Sequence, residues 1–172
     1  MTNNNQLLKD GFLVLRDFFS VEEGEKIQYW FNELEQWKEE KGKWMIYFQE
    51  DGKRARMENI INFHPEIKNF IETRITPTLN EVYQKPMNLF KDKMNWKKGY
   101  GKGFKAHQDQ PAWNDFPPKR YVTVSLFGNY TTKENGCLQF ARGENNEGLF
   151  PHNIEEGGEM IEKGFNWEHV LT

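Results

Sequence analysis

The chain has 172 residues, enough for one domain with a sizeable core. Its formal net charge of -3 argues against a nucleic-acid or membrane-surface protein, and a single cysteine, Cys137, excludes an internal disulfide framework and a cysteine-based zinc site. Residues 1–6 are polar and lack the apolar core of a signal peptide, and no apolar run approaches membrane-spanning length, so the expectation is a cytoplasmic protein.

Residues 11–19 (G-F-L-V-L-R-D-F-F) are nearly continuously apolar and predict a strand. Ser20, followed three residues later by Glu23, is a capping box for a helix over about 21–39, with Val21, Ile27, Trp30, Phe31, Leu34 and Trp37 at helical spacing. Gly42 ends that pattern. Residues 44–49 then predict a strand, Asp51-Gly52 a hairpin turn and residues 54–63 a second extended piece. Pro65 opens a further helix that carries Ile67, Phe70, Ile71, Ile75, Leu79 and Val82, which Pro77 should kink or split. His64, just before it, is an ordinary surface or capping residue on this reading.

From residue 87 the period changes. Residues 87–96 predict a strand, and residues 120–130 (R-Y-V-T-V-S-L-F-G-N-Y) are the best strand by composition. Asn135-Gly136 predicts a turn, residues 137–140 a short strand, and residues 143–152 a loop. Helices first and strands after suggest α+β with a mainly β core.

Between the two predicted strands lies K-K-G-Y-G-K-G-F-K-A-H-Q-D-Q-P-A-W, residues 97–113, with Gly99, Gly101 and Gly103 before His107 and Asp109. If residues 104–109 are extended, His107 and Asp109 point to one side, because strand side chains alternate. An imidazole and a carboxylate so placed offer two of the three protein ligands of a facial triad for Fe(II). The competing reading is a solvated histidine in a glycine-rich loop. The basic stretch of residues 91–105 suits an anionic small molecule as well as it suits a solvated loop.

Asn95-x-Lys97, then His107-x-Asp109 with Trp113 shortly after, a β-rich strand, N-G-C-L at residues 135–138 and an A-R-G turn together resemble the phytanoyl-CoA dioxygenase family. The capped-helix start is also similar, and the resemblance covers nearly the whole chain. It looks most like bacterial members acting on small molecules, the 2-aminoethylphosphonate dioxygenases among them. The resemblance implies a double-stranded β-helix (a cupin-like jelly roll) with helices packed on one side. It divides this single domain into an N-terminal part over about 1–85 and a jelly-roll part over about 86–172. It implies Fe(II), 2-oxoglutarate and O2 as cofactor and co-substrates, with His107 and Asp109 as catalytic metal ligands. Lys97, Asn95 and Ser125 match co-substrate positions. Trp113 matches an aromatic at the substrate mouth, with core packing as the equal alternative. The run Lys91, Lys93, Lys97 and Lys98 suggests an anionic, phosphonate-like substrate met partly by Lys93. The retained Asp109 argues against the halogenating variants of the fold.

The family also needs a second histidine in a G-D…P-H context and an arginine beyond it. His152 and His169 are the remaining histidines after the motif, and neither has that context. The expectation is therefore an N-terminal part of a longer oxygenase acting on a small molecule. The alternative is a non-catalytic β-fold binding domain that keeps half a metal site.

Overall fold

The computed structural model describes residues 3–97, 103–113, 116, 121–153, 159–160 and 164–171. The chain divides into two compact units, Phe19–Gly101 and a second made of Met1–Phe18 with Lys102–Thr172. In chain order the helices are α1 (Asn3–Asp10), α2 (Val21–Gln36), α3 (Pro65–Phe70) and α4 (Thr76–Tyr83). The strands are β1 (Met45–Phe48), β2 (Arg54–Glu58), β3 (Lys93–Asn95), β4 (Leu138–Ala141), β5 (His152–Asn153), β6 (Glu159–Met160) and β7 (Trp167–Val170).

In the Phe19–Gly101 unit, α2 starts where the capping box requires. Ser20 Oγ accepts from the Glu23 N–H at 3.1 Å, and Ser20 N–H donates to Glu23 Oε2 at 2.9 Å. The helix stops three residues short of the predicted end because Trp37 turns extended, at φ -64° and ψ 135°. Its ring packs instead on Trp44 and His64, at centroid distances of 4.5 and 5.7 Å. Ile27, Trp30 and Leu34 form the buried face of α2. The hairpin of β1 and β2 turns at Gly52, whose φ of +76° a side chain would strain.

β3 adds to β2, giving an antiparallel sheet in the order β1-β2-β3. The strand predicted over residues 87–96 is ladder-paired only at Lys93–Asn95, because what precedes it is held by side chains; Asp92 Oδ2 accepts from Ile60 N–H at 2.6 Å. Leu34, Ile46, Met57, Ile60 and Trp96 make the core of this unit. Between α3 and α4 the chain runs through a π-helical turn, Ile71–Ile75, which splits the predicted helix into two α segments. Pro77 has no N–H to return to residue 73, and the wider turn accommodates the missing bond. His64 is the N-cap of α3, its Nδ1 accepting from Ile67 N–H at 3.2 Å. It is buried, at 5% exposure, so the surface alternative is corrected and the capping one stands.

In the other unit the predicted strand over residues 11–19 is absent. Helix α1, which no periodicity announced, comes first, and Gly11 then turns at φ +83°. A Cβ there would lie 2.7 to 3.0 Å from Asn145 side-chain atoms. The apolar content of the segment packs by side chain instead: Phe12 stacks on Phe140 with centroids 4.9 Å apart. Arg142 joins α1 to β7 by ion pairs to Asp10 and Glu168. Those two carboxylates raise the Arg142 pKa, Glu168 more than Asp10.

β4 pairs with β7 and β5 with β6, both antiparallel. Residues 121–130 make no ladder, and Arg120 lies outside the described residues. Their β-rich composition marks a segment fit for a pleated surface, but a strand also needs a neighbour to pair with. Helices with antiparallel sheets bear out α+β. Among the described residues the strands form one three-stranded and two two-stranded sheets and no closed barrel.

Candidate metal centre

His107 and Asp109 sit in the segment just before a short 3-10 turn, Gln110–Trp113. The predicted strand over 104–109 does not form, yet the two side chains converge, with His107 Nε2 3.5 Å from Asp109 Oδ1. Gln108 explains how an unladdered segment holds that shape. Its backbone N–H donates to His152 Nε2 at 3.1 Å, its side-chain amide donates to Gly148 O at 2.8 Å, and its Oε1 accepts from Phe150 N–H at 2.8 Å. The residue between the two candidate ligands is thus fastened at both ends to the 148–152 loop.

The far atoms of both side chains are also engaged. His107 Nδ1 lies 2.7 Å from Lys105 O, and since a carbonyl only accepts, Nδ1 carries a proton, so that in the neutral ring the lone pair is on Nε2. Asp109 Oδ2 accepts from Thr123 Oγ1 at 3.0 Å, which leaves Oδ1 beside that lone pair. A ring nitrogen and a carboxylate oxygen on one side, each backed by a hydrogen bond, are two of the three protein donors of a facial-triad metal site. The side chains are 43% and 44% exposed, so the pair is open to solutes.

Among the described residues no cluster of three or more His, Cys, Asp or Glu is placed to hold a metal. His152 has both ring nitrogens committed, Nδ1 to Phe150 O at 2.6 Å and Nε2 to the Gln108 N–H. His169 lies on β7 opposite Gln139. Ser125 is exposed, two residues beyond Thr123. Trp113 is half-buried, its ring edge-on to Phe116 at 5.9 Å.

Asn95, Lys93 and Lys97 belong to the Phe19–Gly101 unit. Asn95 stands opposite Arg56 and Lys93 opposite Glu58 on the sheet. Burial lowers the Lys97 pKa, and the Lys93 charge lowers it further. Gly99, Gly101 and Lys98 lie outside the described residues.

Thr123 and Gln108 are the residues that sequence reasoning missed. Thr123 lies two residues before Ser125, the residue the family resemblance pointed to, so period-two alternation from that position could have marked it. Nothing in the sequence pointed to Gln108, whose partners lie 40 to 44 residues away.

The profile of the phytanoyl-CoA dioxygenase (PhyH) family matches residues 7–164. The chain belongs to that family. The family's fold is a cupin-like jelly roll. The chain is 37% identical over 144 residues to a 2-aminoethylphosphonate dioxygenase of an uncultured bacterium, covering 80% of this chain and 55% of that protein. It is 33% identical over 168 residues to a methylphosphonate hydroxylase of Gimesia maris (93% and 63%), and 34% identical over 128 residues to dioxygenase lolE1 of Epichloe uncinata (72% and 50%). The chain thus spans half to just under two thirds of the length of these relatives. No solved structure matches the chain significantly. Among the described residues no helix is long and apolar enough to cross a membrane.

Proposed function

We propose that this PhyH-family chain serves an Fe(II)- and 2-oxoglutarate-dependent dioxygenase that hydroxylates a small phosphonate-like anion. The observation that carries the reading is the His107–Asp109 pair, converging at 3.5 Å with both outer atoms tethered. When bound, Fe(II) with 2-oxoglutarate supplies the activation of O2 for insertion into a C–H bond.

This chain's own residues prepare that chemistry. His107 offers Nε2 as a lone-pair donor, because Lys105 O holds the proton on Nδ1. Asp109 offers Oδ1, because Thr123 occupies Oδ2. Gln108 sets the spacing between them. Lys97 provides the cation for a 2-oxoglutarate carboxylate, with Asn95 beside it and Ser125 as a further co-substrate contact. Lys93 attracts the substrate anion and Trp113 packs against its apolar part. The phosphonate in the names of two relatives supports that substrate class. The working setting is the cytoplasm, with a small molecule and neither nucleic acid nor a membrane as partner.

The test is succinate release from 2-oxoglutarate in the presence of Fe(II), O2 and methylphosphonate. Turnover is expected in the native protein and is lost below detection in Asp109→Ala. Turnover retained by Asp109→Ala would sink the ligand assignment.

A further inference from the structure

β2 is the middle strand of its sheet, and its residues alternate between two faces. Met57 points into the core at 0% exposure, with Ile46 and Met94 as its cross-strand partners. Arg56 and Glu58 therefore take the other face. Beside Arg56 stand Tyr47 on β1 and Asn95 on β3; beside Glu58 stand Met45 and Lys93. Trp96 N–H donates to Ala55 O at 2.9 Å and prolongs the pairing beyond β3. With Trp96 buried, Lys97 follows on the Arg56 side.

Among the cross-strand neighbours on this face, Glu58 is the acidic residue. Glu58 is 5% exposed, and its Oε1 lies 2.9 Å from Lys91 Nζ and 3.1 Å from Arg56 Nε. Glu58 Oε1 and Arg56 Nε are both buried and neither makes an aligned hydrogen bond, so their contact is ionic only. Glu58 Oε1 thus lies against both Arg56 and Lys91, and Lys93 stands across from Glu58 on β3. Burial lowers the Lys97 pKa first and the charge of Lys93 lowers it further. The guanidinium carbon of Arg56 is 4.3 Å from the centroid of the Tyr47 ring, which fixes the plane of the fork. Among the described residues no protein group accepts a hydrogen bond from its two Nη nitrogens.

A planar fork held flat on an aromatic ring, beside further cations, is the arrangement that recognises an oxyanion through two parallel N–H···O bonds. We propose that Arg56 is the anchor of an anion site on this face of the sheet, taking the phosphonate end of the substrate with Lys93 beside it. The identity of the anion rests on the oxygenase reading; the site itself does not. A phosphonate and a carboxylate of 2-oxoglutarate share the chemistry of a small oxyanion, and the experiment separates them.

The experiment is calorimetric titration of the metal-free protein with methylphosphonate and, separately, with 2-oxoglutarate. It compares the native protein with Arg56→Gln and Arg56→Lys. Arg56→Lys keeps a cation over Glu58, so its thermal unfolding should match that of the native protein while the fork is lost. Both variants should weaken methylphosphonate about tenfold or more, the loss expected for a charge-assisted hydrogen-bonded pair, and leave 2-oxoglutarate unchanged. Unchanged methylphosphonate affinity in a folded Arg56→Lys protein, or no methylphosphonate binding by the native protein, overturns the proposal. Weakened 2-oxoglutarate binding with unchanged methylphosphonate also overturns it, by assigning Arg56 to the co-substrate. Arg56-dependent methylphosphonate binding in a protein that shows no iron-dependent turnover would leave this site standing and remove the oxygenase reading.

Discussion

Asp109 divides its two oxygens between different tasks, and the division can be tested through Thr123. The hydroxyl holds Oδ2 at 3.0 Å and so turns Oδ1 toward His107. Thr123→Val keeps the side chain's shape and removes the bond. It should weaken Fe(II) binding by about 10- to 100-fold, the range for partners behind metal ligands, measured by competition with a chelator. An unchanged Fe(II) affinity would mean that Thr123 does not orient the carboxylate. Lys97 gives a second test at this scale. Burial and Lys93 lower its pKa, so its positive charge is lost at lower pH than that of an ordinary lysine. Binding of 2-oxoglutarate should therefore weaken as pH rises through that lowered value, and Lys97→Arg should carry binding to higher pH. An Arg variant with the native profile would remove Lys97 from that role. The approach of His107 to Asp109 was expected from their spacing, but the strand that expectation assumed does not form and Gln108 holds the segment instead. Gln108 was not legible, because its function is defined by residues 148–152, which only folding brings near.

Among the elements, those with local signals were legible. Ser20 and Glu23 announce α2, Asp51-Gly52 announces the β1–β2 turn, and Pro65 marks the start of α3. The capping box should be measurable: Ser20→Ala should cost about 1 kcal/mol of stability by denaturant unfolding. Glu23 adds a pH dependence. Its pKa is lowered, first by the Ser20 backbone N–H and next by the hydrogen bond from Arg74. A carboxylate with a lowered folded-state pKa stabilises the fold fully above its unfolded pKa of about 4.3, and that contribution is lost as pH falls through the lowered value. Glu23→Gln should flatten the acid limb of the stability profile; an unchanged limb would show that the box carries no charge effect. Residues 11–19 and 121–130 misled because apolar, β-branched composition reports burial, whereas a strand needs a partner. Phe12 finds its contact in the Phe140 ring and Thr123 in Asp109, without a ladder in either case. The helix from Pro65 to Tyr83 was legible in extent, but its π turn was not, because the wider hydrogen-bond register has no residue signature of its own.

Across the whole molecule, the class of fold was legible and the way the chain gathers itself was not. Sequence order suggested helices first and strands after, and the helices and antiparallel sheets agree. The assembly of one unit from both ends of the chain was hidden, because it depends on pairings of long separation: Arg142 with Asp10 and Glu168, and Phe12 with Phe140. Family membership was legible because the Asn95-x-Lys97 and His107-x-Asp109 motifs are short-range patterns, and the family profile matches residues 7–164. What the molecule does turns on whether the tethered pair holds iron with the co-substrate bound to it. The most direct measurement is anaerobic addition of Fe(II) to the protein with 2-oxoglutarate, followed by visible absorption. A weak charge-transfer band is expected in the native protein, lost in His107→Ala and in Asp109→Ala. A band that survives both substitutions would mean that His107 and Asp109 are not the metal's ligands, and a folded protein that shows no band would mean that this chain does not complete the iron site by itself.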